Sequence, residues 1–467
     1  MCSCFSTFAG LMKNIVTDDT IVALSTPSGV GAIGVIRLSG PASIAICEKL
    51  FPALKLKEAA SHTLHFGVVM DGKEVVDEAV VGLFKAPKSY TCQDVVEISC
   101  HGSPYIIQKV LQLLIKHGAR PARPGEFTMR AFLNGRFDLS QAEAVSDLIA
   151  SESQAAHHIA MNQMRGGFSN ELKELRQKLM DFASLVELEL DFSEEDVEFA
   201  NRAQLVNLLT EMIGKIEKLS ESFRLGNVLK NGVATVIAGR PNAGKSTLLN
   251  ALLNEERAIV SDIPGTTRDT IEEIITIEGI AFRLTDTAGI RHAADIIERE
   301  GVARTMQKIK QASIVVYLFD ADEMSATDVL ADIKKLGNED NIAVLVVANK
   351  IDVKNDRNKF AGINDLLFIS AKNGQGIEEL KKQLCSAALQ GADMQHDIVL
   401  TNARHYESLQ STMQNLSNAK KGIETKLSGE LVASDIRSAL THLGEITGEV
   451  TTDDLLGNIF GRFCIGK

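Results

Sequence analysis

The run Gly239-Arg240-Pro241-Asn242-Ala243-Gly244-Lys245-Ser246 follows directly on the apolar stretch Val233 to Ala238, and it constrains this chain more than any other feature. It fits G-x-x-x-x-G-K-[ST] in the strand–turn–helix setting that a phosphate-binding loop needs, and so commits the segment to an α/β layer. Backbone N–H groups must converge on phosphate oxygens and Gly lets the backbone approach. Lys245 neutralises the outer phosphates, and the Ser246 hydroxyl suits Mg²⁺. The pattern alone recurs by chance in about one or two per hundred chains of this length, so it carries weight only with its neighbours.

Those neighbours come in the order a GTPase requires. Gly265-Thr266-Thr267-Arg268-Asp269 supplies a switch threonine, Thr267, as the second Mg²⁺ oxygen. Asp286-Thr287-Ala288-Gly289, after the strand Ala281 to Thr285, supplies a carboxylate behind the metal and a glycine that senses the γ-phosphate. Asn349-Lys350-Ile351-Asp352 ends the strand Ala343 to Ala348, where the Asp352 carboxylate can accept from the ring N–H and the exocyclic amine of guanine. Ser370-Ala371-Lys372, after the short strand Leu366 to Ile369, backs the base. The expected GTP contacts are therefore Asn242, Ala243, Gly244, Lys245, Ser246 and Thr247; the loop Ser261, Asp262, Ile263, Pro264, Gly265, Thr266 and Thr267; and the Asp286, Asn349 and Ser370 elements. Ras-like enzymes place a water-orienting glutamine just after Asp-x-x-Gly, but here Ile290 stands there, so another group must do that work.

At 467 residues the chain has room for about three domains, and a nucleotide domain alone would not fill it. A formal charge of −12 argues against a broad basic nucleic-acid surface, so any RNA contact should be local or shared with a partner. The seven cysteines are scattered, odd in number and free of C-x-x-C, which reads as reduced thiols of a cytoplasmic protein rather than a disulfide frame. Cys2-Ser3-Cys4 has no second ligand pair nearby for zinc. No apolar run is long enough to span a bilayer. The opening residues 1–14 are too short and weakly patterned for a signal peptide and read as a disordered extension, or as a start placed before Met12.

Proline partitions the rest. Seven of the nine prolines lie between Pro27 and Pro124, where strand-like runs (Thr20 to Leu24, Leu64 to Met70, Val75 to Phe84) alternate with turns. Asp71-Gly72 signals a hairpin, and helical patterns cover Ala42 to Leu50 and Pro104 to His117. No proline occurs between Pro124 and Pro241, and Leu172, Leu175, Leu179, Phe182 and Val186 form one helical stripe that reads as bundle core. Asp191 to Asp196 reads as a solvated acidic junction. Asn402 to Lys426 and Leu431 to Thr447 look helical again. The expected architecture is multidomain: an α+β N-terminal domain (15–132), an α-helical bundle in two parts (133–229 and 391–467), and a Ras-like α/β G domain (230–390) inserted between them.

Ile36-Arg37-Leu38-Ser39-Gly40, Asp94-Val95-Val96-Glu97, Arg123-Pro124-Gly125-Glu126-Phe127-Thr128 running on to Asn134-Gly135-Arg136, the GTPase set and the terminal Phe463-Cys464-Ile465-Gly466-Lys467 together resemble the MnmE (TrmE) family of bacterial tRNA-modification GTPases. The resemblance covers about Asp18 to Lys467. One departure is Cys92-Gln93, where the family pattern has Gly-Glu in Tyr-Thr-Gly-Glu-Asp, a difference that bears on the local turn.

The resemblance implies a homodimer joined through a folate-binding N-terminal domain. It also implies an FAD- and NADH-using partner of the MnmG type in a heterotetramer or larger complex, and an aminomethyl-type (carboxymethylaminomethyl) group placed on carbon five of the wobble uridine of certain tRNAs. The one-carbon unit comes from formyl- or methylene-tetrahydrofolate. By motif position the folate contacts are Arg37, Glu97, Arg136 and Lys467, with Cys464 near the folate carbon and its role in the one-carbon chemistry open. Glu298 matches the family's catalytic glutamate. Asn242, Ser261, Ile263 and Thr266 match its potassium-binding loop. Carboxylates such as Glu97 suit the amide-like edge of a pterin, and Arg or Lys suit its glutamate tail. Cys464 also mimics a prenylation box, but Lys467 in last place and the lack of a polybasic run argue against that. Two other classes compete: a GTPase that only assembles other complexes, which has no need of the folate set, and a folate enzyme with a regulatory G domain, which has no need of a complete hydrolytic set.

Overall fold

The computed structural model describes residues 19–191, 202–256, 272–286, 309, 312–336, 342–353, 357–389 and 399–466. The elements run β1 (Ile21–Leu24), β2 (Ile33–Ser39), α1 (Ser43–Leu50), β3 (Thr63–Asp71), β4 (Glu74–Phe84), β5 (Val95–His101), α2 (Pro104–Lys116), β6 (Arg120–Pro121), α3 (Glu126–Leu133), α4 (Leu139–Ile149), α5 (Gln154–Met164) and α6 (Gly167–Asp191). They continue α7 (Arg202–Asn231), β7 (Val233–Ala238), α8 (Lys245–Glu256), β8 (Glu272–Ile277), β9 (Ile280–Asp286), β10 (Ile314–Asp320), α9 (Ala326–Leu336), β11 (Ala343–Asn349), β12 (Leu367–Phe368), α10 (Ile377–Leu389), α11 (Ala403–Glu424), α12 (Gly429–Thr447) and α13 (Asp453–Phe460). Two compact units result: one from the described residues of Met1–Ser146, Gln163–Ala200 and Leu427–Lys467, the other from those of Asp147–Asn162 and Asn201–Lys426.

The first unit is built on a six-stranded sheet in the order β3-β4-β5-β2-β1-β6, antiparallel except for β1 with β6. Strand alternation sorts its faces. Ile36 and Leu38 of β2 and Val96 and Ile98 of β5 are fully buried in one core with Cys47 and Leu50 of α1 and Val110 and Leu114 of α2. Arg37 and Glu97, lying between those residues, therefore fall on the opposite face, directly paired across the two strands. The β3–β4 register pairs Asp71 with Glu74, so the hairpin turns on Gly72-Lys73, one residue later than the Asp71-Gly72 signal, with Gly72 at φ 64°. The α6 stripe packs on α12. Leu172, Leu175, Leu179 and Val186 are buried, while Phe182 is half-buried because Ala183 takes the seam.

The second unit carries a six-stranded sheet in the order β12-β11-β10-β7-β9-β8, parallel except for the β8–β9 pair. Its central strands are covered on both faces, which is why β10 reads as the unbroken buried run Ile314 to Asp320. Helices α7 and α11 pack together in this unit, with the Phe223 and Tyr406 rings stacked at 4.6 Å. Helices from before β7 and after α10 thus pair, α6 with α12 in the first unit and α7 with α11 in the second. The 1–14 extension and the acidic junction beyond Asp191 lie outside the described residues.

Candidate functional site

In the second unit β7 lies between β9 and β10, so the chain leaves it at a point where the strand order runs away on both sides; open α/β sheets bind ligands at such a point. The loop after β7 turns into α8, whose first residues are Lys245, Ser246 and Thr247. Gly244 sits at φ 96°, and a Cβ there would come within 2.3 Å of Asn349 Nδ2, so only glycine closes this loop. Asn242 also takes a positive φ, 63°. Lys245 Nζ donates to the carbonyls of Gly239 and Arg240 at 2.9 and 3.0 Å.

Asn349 ties three of the sequence motifs together. Nearly buried at 3% exposure, it donates from Nδ2 to the Ala243 carbonyl at 2.9 Å and accepts the Ala371 N–H at 3.0 Å. Asp352 is exposed and accepts from Ser370 Oγ at 2.6 Å, a bond that holds its carboxyl below the ordinary aspartate value and keeps it an acceptor. Lys350, at φ 67°, donates to Asp320 Oδ2 at 2.6 Å. Asp320 pairs with Asn349 across β10 and β11; it was not foreseen from sequence, although a carboxylate ending an apolar strand beside the Asn-Lys-Ile-Asp strand could have flagged it. Asp286 ends β9 opposite Ile237. Ser261, Asp262, Ile263, Pro264, Gly265, Thr266, Thr267, Thr287, Ala288, Gly289, Ile290 and Glu298 lie outside the described residues.

The first unit holds a cavity of about 450 Å³, within the range of small-molecule sites. Glu97 and Arg136 line it, with Tyr90, Phe84, His62 and Lys88. Glu97 Oε1 accepts from Arg37 Nε and Nη2, both at 2.8 Å. Arg136 donates to the Ser89 carbonyl. Cys92 also lines the cavity at φ 59°, a left-handed backbone that costs a non-glycine residue about 1–2 kcal/mol. The Gln93 side-chain oxygen accepts from Ser39 Oγ at 3.1 Å and Arg130 at 3.2 Å.

The Arg-Pro-Gly-Glu-Phe stretch is an architectural joint. Glu126, 2% exposed, takes Arg120 at 2.6 Å, Arg130 at 3.0 Å and the Arg123 N–H at 2.8 Å. Both arginines also reach Asp19. Gly125 accepts no side chain, because a Cβ would lie 2.6 Å from the Phe460 carbonyl, and its N–H donates to the Cys464 carbonyl at 3.3 Å. Thr452 caps α13 by accepting the Leu455 N–H at 3.2 Å, and Phe460 packs with Leu139 and Ala142. The tail beyond it lies on β1: a Cβ on Gly466 would come 2.3 Å from the Leu24 carbonyl, and Ser25 Oγ donates to the Gly466 carbonyl at 3.3 Å. Cys464 is exposed, and Lys467 lies outside the described residues.

Residues 139–464 match the family model described as the MnmE helical domain, and residues 20–136 that of the GTP-binding protein TrmE N-terminus. The tRNA modification GTPase MnmE of Cytophaga hutchinsonii is 56% identical over 451 residues, spanning 96% of this chain and 98% of that protein. Those of Christiangramia forsetii and Flavobacterium johnsoniae are each 52% identical, over 96% and 97% of this chain and 99% and 100% of their own lengths. With family models and near-full-length relatives agreeing across the α+β, helical and G-domain regions, the chain belongs to the MnmE family of tRNA modification GTPases.

Proposed function

We propose that this protein is a potassium-activated GTPase which, with an MnmG-type FAD- and NADH-using partner, adds an aminomethyl-type (carboxymethylaminomethyl) group to carbon five of the wobble uridine of certain tRNAs, taking the carbon from formyl- or methylene-tetrahydrofolate. The observation that carries this reading is the cavity of about 450 Å³ with Glu97 and Arg136 in its wall and Arg37 clamped to Glu97, in the same unit whose β1 receives the tail that ends in Lys467. A GTPase serving only as an assembly switch has no use for such a pocket. Glu97 suits the donor edge of a pterin, and the cations suit the carboxylates of a glutamate tail.

In the second unit Ser246 and Thr267 supply hard oxygens for Mg²⁺, and Asn242, Ser261, Ile263 and Thr266 form the shell for K⁺. Glu298 orients the water in place of glutamine, and Asp352 selects guanine. The relatives' name gives tRNA as what they modify, and the same substrate is assigned here. The homodimer is assigned to the N-terminal domain. Leu64, Phe66 and Val80 are exposed there on the β3–β4 hairpin, with Phe66 directly opposite Val80, and exposed apolar groups gathered in this way mark contact surfaces. The division 15–132, 133–229 with 391–467, and 230–390 is retained, and a cytoplasmic setting follows from the substrate. Among the described residues no helix is long and apolar enough to cross a membrane.

Deleting Cys464 to Lys467 tests the folate assignment. Calorimetry is expected to show loss of tetrahydrofolate binding, and mass spectrometry to show unmodified wobble uridine, while GTP hydrolysis stays near the full-length rate. Equal folate affinity in the truncated chain would reject the assignment.

A further inference from the structure

One aromatic ring of the first unit's cavity serves two arginines, Arg136 in the cavity wall and Arg37 on its Glu97. The guanidinium carbon of Arg37 lies 5.1 Å from the Tyr90 centroid and that of Arg136 5.3 Å from it. Each has a second aromatic partner, Arg37 over Phe127 at 5.8 Å and Arg136 over Phe137 at 5.2 Å. Tyr90 and Phe137 meet edge to face with centroids 6.1 Å apart, and the Tyr90 hydroxyl shares a hydrogen bond of 2.9 Å with Thr128 Oγ1. The result is a continuous ladder of Phe127, Arg37, Tyr90, Arg136 and Phe137.

The two cations differ in what else satisfies them. Arg37 is ion-paired with Glu97, which fixes both partners. Arg136 donates to a neutral carbonyl, that of Ser89, and among the described residues it makes no ion pair. A guanidinium carries five N–H donors, so Arg136 keeps donors for an anion, and its orientation depends on the rings it lies over. Glu97 is the carboxylate in the cavity wall and is already engaged by Arg37. An Arg136 freed from Tyr90 would compete for that carboxylate, and both contacts would loosen.

We propose that Tyr90 is the positioning residue of this cavity. Its π face, not its hydroxyl, holds Arg136 ready for the carboxylate tail of a folate-class ligand and keeps Arg37 on Glu97, which takes the pterin edge. This rests on the folate reading above and adds to it which cation meets which end of the ligand.

The test is calorimetry on the full chain with two ligands, 5-formyl-tetrahydrofolate and a reduced pterin that lacks the aminobenzoyl-glutamate tail. Tyr90→Phe keeps the ring and is expected to bind both ligands as the wild type does. Tyr90→Leu is expected to lose about tenfold in affinity for the tailed ligand and much less for the bare pterin. In an Arg136→Ala background the Leu substitution should add little, since both changes remove one contact. Three results overturn the assignment: a Leu variant equal to wild type, a Phe variant as damaged as the Leu variant, or equal losses for the two ligands. If the wild-type chain binds neither ligand, the folate reading itself falls and this assignment falls with it.

Discussion

Glu126 is a carboxylate at 2% exposure that accepts from two arginines and a backbone N–H. Burial alone would raise its carboxyl, but the bonds from Arg120, Arg123 and Arg130 outweigh that and hold it below the ordinary value of 4.5. As pH falls the unfolded chain therefore takes up the proton first. The stabilisation is complete above 4.5 and is lost as pH drops through the lower folded value. Glu126→Gln leaves the fully buried Arg130 and the partly exposed Arg120 short of charge and should cost about 3–5 kcal/mol near neutral pH, most of it at Arg130. It should also flatten the acid limb: melting temperature is expected to fall less steeply for the variant than for the wild type between about pH 5 and about pH 3. Parallel slopes would show that Glu126 does not govern that limb. Only the Glu126–Arg130 pair, four residues apart on α3, could have been read from spacing; Asp19 and Arg120 come from separate segments, and nothing in the sequence brings them to that pair. The Arg-Pro-Gly-Glu-Phe stretch could be marked as distinctive, but its work as a joint with the C-terminal tail needed the fold.

At the scale of elements, legibility follows burial. Strands covered on both faces, such as β7 and β11, appear as continuous apolar runs, and Val233 to Ala238 and Ala343 to Ala348 match them to within one residue. The two-residue β6 and its parallel pairing with β1 leave no such trace. The residues proposed to hold guanine could be picked out because they sit at strand ends in fixed order, and the structure adds the bonds that join them. Asn349 links the phosphate loop to Ala371, and Ser370 fixes Asp352. Asp352→Asn should therefore weaken GTP by about a hundredfold or more, because an amide cannot accept from both guanine donors. It should admit xanthosine triphosphate, whose oxygen replaces the exocyclic amine. Calorimetry with both nucleotides decides this, and unchanged GTP affinity would remove Asp352 from the base site.

For the whole molecule the open chemical problem is charge. Negative charge growing on the transferred phosphate must be met by a cation if hydrolysis is fast, and the sequence marks no arginine for that role. Asn242 is exposed in the phosphate loop at φ 63°; in the potassium reading proposed above, its amide oxygen would take a monovalent ion together with Ser261, Ile263 and Thr266. On that reading two G domains would meet face to face around the ion, so turnover per molecule should rise with protein concentration as well as with the ion. Replacing Na⁺ by K⁺ at matched ionic strength is expected to raise GTP hydrolysis by about tenfold or more. Asn242→Ala should remove the difference while nucleotide affinity is kept. Glu298→Ala should bind GTP normally and turn it over slowly in either salt, which separates loss of the water-orienting group from loss of the ion. Equal wild-type rates in the two salts would mean that the phosphate charge is met by some other group, and the shell drawn around Asn242 would have to be abandoned.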